Sequence, residues 1–549
     1  MSTSRISQSF RLACLIVFAA MVTLLTACGG GSSSSTSTGQ SQQAGNSSNL
    51  TLAVPDDAPT VDPAFAGSPR GTEIVMNAYD PMATYALKSG PDGVRVANLA
   101  KIVGLSLASI TPNDDFSEWT LKLRAGLKFP NGAPVTIEDV RYTFARSVDN
   151  KGTPGQFMDT VIGQVPDLKS VKITGKDTIK LTLRGPNQML PRVLALTNGG
   201  IVQKSVVEAH ATKSDPYANA WLTRHTAGSG AYVLKSWQPG QQIVLAANPA
   251  YAGNPKPTFK QVTYRIIPSG ANRVALLRRG AVDIATGLTS DDVEGLKGAD
   301  GVKVVSVPNA YQLMLVMNNK TAPFNNKLIR QAISYAVPSQ QIIDQVYKGL
   351  AKGTAGPVPT GFPGHDAKGY PYAQQNLKKA KELLAKAGKP NGFTVGLQIN
   401  AGSPDDEKTA IILQAALDQI GVKVNISKVT PSVFEERRRS FSLGFYLTQS
   451  GWDVADPSYA LTMGYACKSF LNFSQYCNAN VDREVQRATS QSDPGQRTAM
   501  FNKIQQQVSA DAPVVWIAQP NTTFAMRDTI AGYADFGDLR IRFKYLHKS

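Results

Sequence analysis

Apolar and polar residues alternate along several short stretches of the chain. Residues 50–54, 119–123 and 422–426 carry an apolar side chain at every second position, and this period predicts strands with one buried face. Pro513 interrupts a helical pattern and precedes the continuous apolar run of residues 514–517. That run predicts a further strand close to the C-terminal end of the chain.

Other stretches space their apolar residues three or four positions apart, which predicts helices with one buried face. This pattern covers residues 140–148, 328–336, 377–387, 412–420 and 501–508. Thr136 is a predicted N-cap for the first of these helices, and Gly388 and Gly421 are predicted to end two later ones. Because helices and short strands interleave over the whole length, we predict α/β lobes whose sheets are covered by helices.

The first residues have the pattern of a bacterial lipoprotein signal. Arg5 and Arg11 accompany an apolar run that continues to Ala27 and is shorter than the ~20 residues of a membrane-spanning helix. The run closes on Leu-Thr-Ala, followed by Cys28 and Gly29. We therefore predict a signal peptide over residues 1–27 and an acylated Cys28. An ordinary signal peptide that contains a cysteine is the alternative.

Residues 28–49 are predicted to form a disordered tether that follows the lipidated cysteine. They consist largely of Gly, Ser, Thr, Gln and Asn and carry no charge, so they cannot bury enough apolar surface to offset the entropy of ordering. A lipid followed by such a tether would hold a globular body near a membrane.

Two cysteines, Cys467 and Cys477, remain in the mature body, because Cys14 leaves with the signal peptide and Cys28 carries the lipid. In an oxidising compartment, two cysteines ten positions apart are expected to form a disulfide. A metal-binding pair is the alternative, although no histidine lies beside either cysteine.

Length and charge narrow the class of protein further. Residues 28–549 suffice for two or more domains with large cores. The formal net charge of +17 is consistent with nucleic acid binding, but the predicted export and the scattered Lys and Arg residues argue against it. The densest basic cluster, residues 437–439, is flanked by Glu435 and Glu436 and is expected to be a solvated face.

The sequence offers no recognisable catalytic motif. It contains no GxSxG, HExxH, GxxxxGK[ST], CxxC or EF-hand pattern, and its four histidines are far apart. Pairs of acidic residues lie near turn or helix-start signals, where carboxylates serve as caps; carboxylates brought together by the fold remain an alternative route to acid–base chemistry. We predict a protein that is not an enzyme and that needs no metal or cofactor.

The segment around Trp452 is the clearest candidate for a ligand site. A strand-like run, residues 444–450, leads into Gly451, Trp452 and Asp453, and the chain then turns at Asp456 and Pro457. A tryptophan and an aspartate at the end of a strand can line a cleft, where the ring packs on a ligand and the carboxylate pairs with a cation. The alternative is a core tryptophan followed by an aspartate that caps a turn.

Several longer motifs resemble those of a known family. Residues 118–146 read EWTLKLRAGLKFPNGAPVTIEDVRYTFAR, residues 228–251 read GSGAYVLKSWQPGQQIVLAANPAY, and residues 318–337 read NNKTAPFNNKLIRQAISYAV. In this order they resemble the peptide/nickel class of ABC-importer solute-binding proteins, which includes the oligopeptide- and dipeptide-binding lipoproteins. The resemblance also places an opening strand and an Asp-Pro turn at residues 52–65 and a helix across residues 77–87.

The resemblance implies an α/β fold of the two-lobed periplasmic-binding-protein type, with an extra subdomain on lobe I. Carried onto this chain, lobe I comprises residues 49–84, 199–309 and 516–549, and the subdomain comprises residues 85–198. Lobe II comprises residues 310–515. In such proteins the ligand binds between the lobes and favours the closed form, which a permease recognises.

The family also suggests roles for individual residues. In its peptide-binding members, an Asp just after the strand-end Trp pairs with the ligand amine, and main-chain hydrogen bonds hold the peptide. The motif reads roughly W-x-x-D-x-x-[DE]-P there, whereas residues 452–457 are two residues shorter. Asp453 matches the amine partner if the turn is tightened, and Asp456 matches the later structural acid. The departure puts peptide specificity in doubt without affecting the predicted fold.

We therefore predict an extracytoplasmic, membrane-anchored binding protein, expected to be monomeric, that captures a short peptide or peptide-like solute for an ABC permease. Trp452 is the predicted stacking wall and Asp453 the amine partner. Phe65, Arg70 and Gln449 are predicted cleft contacts. The alternatives are a non-peptide solute, such as a nickel complex or an oligosaccharide, and a receptor that presents a signalling peptide.

Overall fold

A computed structural model describes residues 48–549 of the protein. The predicted signal peptide, the predicted acylation site Cys28 and the predicted tether up to residue 47 lie outside the described residues. The tether was expected to extend to residue 49, but Asn49 is the first residue of a strand. Within residues 48–549, none of the helices combines the length and the apolar character that crossing a bilayer requires.

The described part of the chain contains both strands and helices throughout. The strands are β1 (Asn49–Val54), β2 (Ala83–Ser89), β3 (Arg95–Gly104), β4 (Leu107–Pro112), β5 (Glu118–Leu123), β6 (Val171–Gly175), β7 (Thr178–Thr182), β8 (Tyr232–Gln238), β9 (Gln242–Ala247), β10 (Gln261–Ile266), β11 (Ile284–Ala285), β12 (Val302–Val307), β13 (Gln312–Met317), β14 (Ala351–Lys352), β15 (Phe393–Asn400), β16 (Val422–Val429), β17 (Phe445–Ser450), β18 (Val514–Pro520), β19 (Thr522–Arg527), β20 (Ile530–Ala531), β21 (Ala534–Asp535) and β22 (His547–Lys548).

Helices separate most of these strands. They are α1 (Pro69–Ala78), α2 (Ile137–Asp149), α3 (Pro154–Phe157), α4 (Leu190–Val193), α5 (Lys204–His210), α6 (Asn219–Leu222), α7 (Gly270–Arg278), α8 (Ser290–Glu294), α9 (Lys327–Ala336), α10 (Ser339–Ile342), α11 (Leu377–Lys386), α12 (Pro404–Asp418), α13 (Pro431–Arg439), α14 (Pro457–Tyr465), α15 (Ala479–Thr489) and α16 (Pro494–Asp511).

Two large sheets organise the protein. The first has seven strands in the order β12-β19-β11-β1-β10-β9-β8, and the second has six in the order β14-β18-β13-β17-β15-β16. The chain passes from the first sheet to the second between β12 and β13, and it returns at Asn521, between β18 and β19. The predicted lobe boundary at residue 516 therefore falls inside β18. The exact division into lobes stays a prediction.

Smaller sheets lie within or beside the segment predicted as a subdomain. Strands β4, β5, β7 and β6 form a four-stranded antiparallel sheet, and β2, β3 and β21 form a three-stranded one. Because β21 comes from the C-terminal region, it ties residues 95–96 to the end of the chain.

The local signals in the sequence explain where many elements begin and end. Thr136 caps α2: its side chain accepts from the backbone N–H of Asp139, whose carboxylate accepts in turn from the N–H of Thr136. Gly388 follows α11 with a φ of 76°, and Gly421 precedes β16 with a φ of 83°, conformations that glycine adopts without steric penalty. These predicted boundaries are confirmed.

The helix expected across residues 77–87 is wrong over most of its length. Helix α1 ends at Ala78, and β2 already begins at Ala83. Pro81 disfavours a helical conformation at the residue before it and lacks an N–H group, so the helix cannot continue through this point.

A buried ion pair joins α2 to the first turn-rich segment. Arg146 Nη1 and Nη2 donate to Asp62 Oδ1 and Oδ2 at 2.8 and 2.5 Å, and both side chains are almost completely buried. The Asp62 carboxylate also accepts from the N–H of Ala64. The pair therefore holds the loop that leads into residues 64–67.

Candidate functional site

A cavity of about 620 Å³ lies between segments from distant parts of the chain. Its volume falls within the ~300–1,000 Å³ of small-molecule sites. The residues that line it include Ala66, Gly67, Thr72, Met76, Thr153, Gly155, Phe157, Met158, Leu196, Asn198, Tyr311, Arg439, Asp453, Tyr459, Phe470, Leu471, Asp538 and Arg540. They come from the segments predicted as lobe I, the subdomain and lobe II. The cavity is therefore the candidate ligand site.

Asp453 is the candidate amine partner, and it lines this cavity. Its side chain is open to the cavity, but protein encloses the site, and the resulting desolvation raises the pKa of Asp453 despite the opposing charge of Arg540. Within residues 48–549, no side chain donates a hydrogen bond to its carboxylate or forms an ion pair with it. The carboxylate is thus available to a cationic ligand.

Trp452, the predicted stacking wall, is only 5% exposed. Its ring contacts Tyr459 and Tyr465 edgewise, with centroids 6.3 and 6.5 Å apart, and a side chain at Gly464 would collide with it. Trp452 does line a small chamber of about 30 Å³ beside Asp453, and its buried indole N–H has no partner among the described residues. The structure therefore packs the Trp452 ring as part of the core, with one edge near the site.

Asp456 has a different environment from Asp453. It is the N-cap of α14, where its carboxylate accepts from the N–H of Ser458 at 2.9 Å, and Arg497 Nη2 donates to it at 2.7 Å. Burial alone would raise its pKa, but the Arg497 guanidinium, the Arg192 charge and the hydrogen bond from Ser458 together outweigh this effect and lower the pKa of Asp456. The Asp456 carboxylate thus binds the start of α14 and Arg497, and Asp456 is not among the residues that line the cavity.

The other three predicted contacts, Phe65, Arg70 and Gln449, are not among the cavity-lining residues. Phe65 precedes Ala66, which lines the cavity, and is 38% exposed. Arg70 is buried in α1, with Nη1 2.5 Å from Glu73 Oε1, and Gln449 is exposed on β17. Of the five predicted contacts, only Asp453 lines the 620 Å³ cavity, and Trp452 reaches just the small chamber beside it.

Two arginines at the cavity were missed by the sequence analysis. Arg439 ends α13, its side chain is 79% exposed, and its Nε lies 3.9 Å from Glu435. Arg540 is buried, and its Nε donates to Thr72 Oγ1. The cluster at residues 437–439 was the only signal for Arg439, and it equally fits a solvated helix end. Arg540 lies 87 residues after Asp453 along the chain, and only the fold brings both to the cavity.

The aromatic residues of the cavity come from the segments predicted as the subdomain and lobe II. Tyr311 follows the crossing from β12, and burial together with the nearby Asp453 charge raises the pKa of Tyr311 to about 12. Phe157 ends α3, and Phe470 lies in the loop between α14 and α15. This loop is closed by a disulfide between Cys467 and Cys477, the pairing that the cysteine count favoured.

The chemistry of these residues suits binding. Within residues 48–549, no group of three or more His, Cys, Asp or Glu side chains is arranged to hold a metal ion. The cavity instead combines one unpaired carboxylate, two guanidinium groups and several aromatic rings. Such a site can hold a polar ligand with both cationic and anionic groups.

Comparison with known proteins identifies the family. The model of bacterial extracellular solute-binding proteins, family 5 (middle region), matches residues 101–472. The chain belongs to this family. Its members bind solutes outside the cytoplasm for ABC importers and are not enzymes. The predicted family and the prediction of a binding protein rather than an enzyme are therefore confirmed.

Individual relatives support this assignment. The solute-binding protein is 31% identical to the probable D,D-dipeptide-binding periplasmic protein DdpA of Escherichia coli K12, over 88% of this chain and 91% of that protein. It is 28% identical to the oligopeptide-binding protein AppA of Bacillus subtilis, over 78% of this chain and 81% of that protein.

A solved structure confirms the predicted fold class. The DppA periplasmic binding protein of Helicobacter pylori, solved in complex with the peptide STSA, superposes with a TM-score of 0.78 at 24% identity. The match covers 91% of this chain and 98% of that chain.

Proposed function

We propose that this solute-binding protein captures a short peptide between its lobes and delivers it to an ABC permease. The observation that carries the proposal is the unpaired Asp453 carboxylate in the wall of the 620 Å³ cavity. A peptide's terminal ammonium group supplies the missing partner, and a charge-assisted hydrogen bond in an enclosed site is stronger than one in water.

The opposite charge of the ligand also has a candidate partner. Arg439 is among the residues that line the cavity, and its Nε lies 3.9 Å from Glu435 in a weak, exposed ion pair. A terminal carboxylate would gain a bidentate partner there. With Asp453 unpaired, Asp538 paired with Arg542, and Arg439 and Arg540 also in the lining, a cavity of this size suits a zwitterion of a few residues. The names of the relatives, which bind dipeptides and oligopeptides, support the same class of ligand.

A thermal-shift screen of the purified protein tests the proposal. The panel contains L-dipeptides to L-hexapeptides, D,D-dipeptides, oligosaccharides and nickel chelates. A ligand at 100 times its dissociation constant stabilises the folded protein by about 2.7 kcal/mol. We expect free-amine peptides to raise the melting temperature and the same peptides with an acetylated N-terminus to have a much smaller effect. Stabilisation by sugars or chelates alone would contradict the peptide assignment and leave the family intact.

The membrane attachment is part of the same proposal. The Leu-Thr-Ala-Cys sequence that ends at Cys28 supports acylation of this cysteine and cleavage before it. The uncharged residues 29–47 would then let the body move near the permease. We expect the wild-type protein to partition into detergent and Cys28→Ser to remain in the aqueous phase. Equal partitioning of both proteins would contradict the lipid anchor.

A further inference from the structure

Two aromatic rings from distant segments of the chain meet at the cavity. The ring centroids of Phe157 and Phe470 are 5.0 Å apart, and the ring planes are nearly perpendicular at 89°. Phe157 belongs to the segment predicted as the subdomain, whereas Phe470 belongs to the segment predicted as lobe II. Both line the cavity, as do their neighbours Met158 and Leu471. The four side chains therefore form an apolar corner that needs both sides of the cleft.

Phe470 is held in place by its loop rather than by burial, since it is 54% exposed. The disulfide closes the loop over residues 467–477. Within the loop, Asn472 Nδ2 donates to the Tyr476 carbonyl at 2.6 Å. Two further bonds tie the loop to the end of α14: Asn472 Nδ2 donates to the Ala466 carbonyl at 2.9 Å, and Ser469 Oγ donates to the Met463 carbonyl at 2.6 Å. A short, cross-linked and internally bonded loop loses little further entropy when its ring contacts a partner.

Phe157 is supported in a comparable way from the other side. Thr153 caps α3 by accepting from the N–H of Gln156, and Pro154 occupies the first helical position. The N–H of Gly155 donates to the Ala64 carbonyl at 3.0 Å, and a side chain at Gly155 would be in very tight contact with the Ala64 backbone. Helix α3 therefore packs directly against residues 64–67, the loop that the Asp62–Arg146 ion pair stabilises.

We propose that Phe157 and Phe470 form an aromatic clasp that closes the cavity and provides a subsite for one large apolar side chain of the ligand. The clasp itself follows from the ring contact, whereas the peptide nature of the ligand rests on the proposed function. Since each ring comes from a different side, the subsite is complete only in the closed protein. An apolar ligand group that touches both rings therefore favours closure and slows release.

Binding measurements on full-length Phe157→Ala, Phe470→Ala and the double variant test the subsite. The probes are Ala-Ala, Leu-Ala, Ala-Leu, Phe-Ala and Ala-Phe, measured by isothermal titration and stopped-flow release. We expect the wild-type protein to prefer a peptide with a large apolar residue at one position over Ala-Ala. Each single variant should reduce that preference about 2- to 10-fold, the range for an aromatic pair, and the double variant should lose little more. Cys467→Ser/Cys477→Ser should behave like Phe470→Ala.

A matched control and a measurement without ligand complete the test. Val161 is 47% exposed, lies one helical turn after Phe157 and does not line the cavity, so Val161→Ala should change neither preference nor affinity. In the ligand-free protein, Phe157→Ala should speed hydrogen exchange in residues 466–473 about 2- to 10-fold, although these residues lie across the cleft.

The outcomes separate the two proposals. Peptide binding with a preference that all variants retain would overturn the subsite and leave the proposed function standing. If no peptide binds the wild-type protein, the proposed function fails, and hydrogen exchange then decides the clasp. Exchange in residues 466–473 that ignores Phe157→Ala would overturn the clasp.

Discussion

Asp453 and Asp456 lie three residues apart, yet their carboxylates have opposite environments. Asp456 is 3% exposed, caps α14 and pairs with Arg497 at 2.7 Å. Asp453 is open to the cavity and has no partner among the described residues. The pKa of Asp456 is lowered because Arg497, Arg192 and Ser458 together outweigh its burial. The pKa of Asp453 is raised because desolvation and the nearby Asp538 charge outweigh Arg540.

The difference separates a carboxylate that serves the fold from one that is free to serve a ligand. Asp456 has its partners in the folded protein, and replacing it should unbalance a buried pair. Asp453 keeps an unfavourable charge in an enclosed site, which is the pattern of a functional group. Sequence spacing alone leaves both acids as candidates, and their hydrogen bonds distinguish them.

The largest expected effect is the loss of stability in Asp456→Ala. The substitution removes a helix cap and leaves the Arg497 guanidinium, which is 13% exposed, without its partner. Breaking a buried pair in this way costs about 3–5 kcal/mol of unfolding free energy. Chemical denaturation followed by tryptophan fluorescence measures it. The folded variant should bind ligand with an affinity within about 2-fold of the wild-type protein, a difference of about 0.4 kcal/mol.

The double variant Asp456→Asn/Arg497→Met provides the control. It removes both charges together, so it should recover much of the stability that Asp456→Ala loses. Wild-type stability in Asp456→Ala would show that the pair is not the structural element we describe.

A third carboxylate, Asp159, extends the comparison to a group whose protonated form the fold favours. It is buried and accepts from Asn198 Nδ2 at 2.8 Å, and burial raises its pKa to about 7. The raised pKa means that protonated Asp159 stabilises the folded protein. This stabilisation is fully present below about pH 4 and is lost as the pH rises to about 7, which lowers the free energy of unfolding by up to about 4 kcal/mol. Asp159→Asn should therefore match the wild-type protein at pH 4 and exceed its stability at pH 8.

Denaturation of both proteins at the two pH values measures this difference. Asp115→Asn is the control, because hydrogen bonds from Ser117 lower the pKa of the exposed Asp115, which predicts a small effect of opposite sign. An Asp159→Asn variant less stable than the wild-type protein at pH 8 would contradict an uncharged Asp159.

Much of the fold could be predicted from the sequence, because its signals are local. The cap at Thr136 and the apolar stripe after it define α2, and alternation defines β1, β5 and β16. The helix expected over residues 77–87 fails where Pro81 interrupts it. At this point the local effect of Pro81 on the backbone predicts the end of the helix correctly, and the family resemblance does not.

The candidate site could be predicted only in part, because it is assembled from distant segments. Asp453 was found because the residues before it form a recognisable motif. Arg540 and Phe157 carry no local signal, and they reach the cavity only through the return of the chain at Asn521 and the contact of α3 with Ala64. Arg70 was expected at the cleft from its position, but a buried arginine needs partners, and Glu73 one turn later on α1 supplies one.

Asp453→Asn tests the cavity side of the comparison directly. Removing the charge that faces a ligand amine should weaken binding of a free-amine peptide about 30-fold, or about 2 kcal/mol. Binding of the N-acetylated peptide should not change, and the ligand-free variant should be at least as stable as the wild-type protein. Isothermal titration and thermal unfolding measure the two quantities.

The pH dependence of binding sharpens this prediction. Because the pKa of Asp453 is raised by desolvation, its charge is lost at a higher pH than that of an ordinary carboxylate. Wild-type affinity for a free-amine peptide should fall as the pH drops through this range, whereas the affinity of Asp453→Asn should stay flat. The same pH profile in both proteins would exclude Asp453 as the amine partner.

The smallest effect is expected at Asp291, where a carboxylate again joins two parts of the fold, but at the surface. Asp291 on α8, beside the seven-stranded sheet, pairs with Lys348 at 2.8 Å and with Lys408 on α12, beside the six-stranded sheet. All three side chains are more than one-third exposed, so Asp291→Asn should lower the free energy of unfolding by about 1 kcal/mol or less.

The salt dependence of stability tests this. Salt screens exposed ion pairs, so the stability difference between Asp291→Asn and the wild-type protein should disappear at 0.5 M NaCl, roughly five times a typical 0.1 M ionic strength. The Asp456→Ala deficit should persist there, because Asp456 and Arg497 are buried. If Asp291→Asn remained less stable than the wild-type protein at 0.5 M NaCl, the Asp291 ion pairs would behave like the buried Asp456–Arg497 pair, and their description as solvated ion pairs would be wrong.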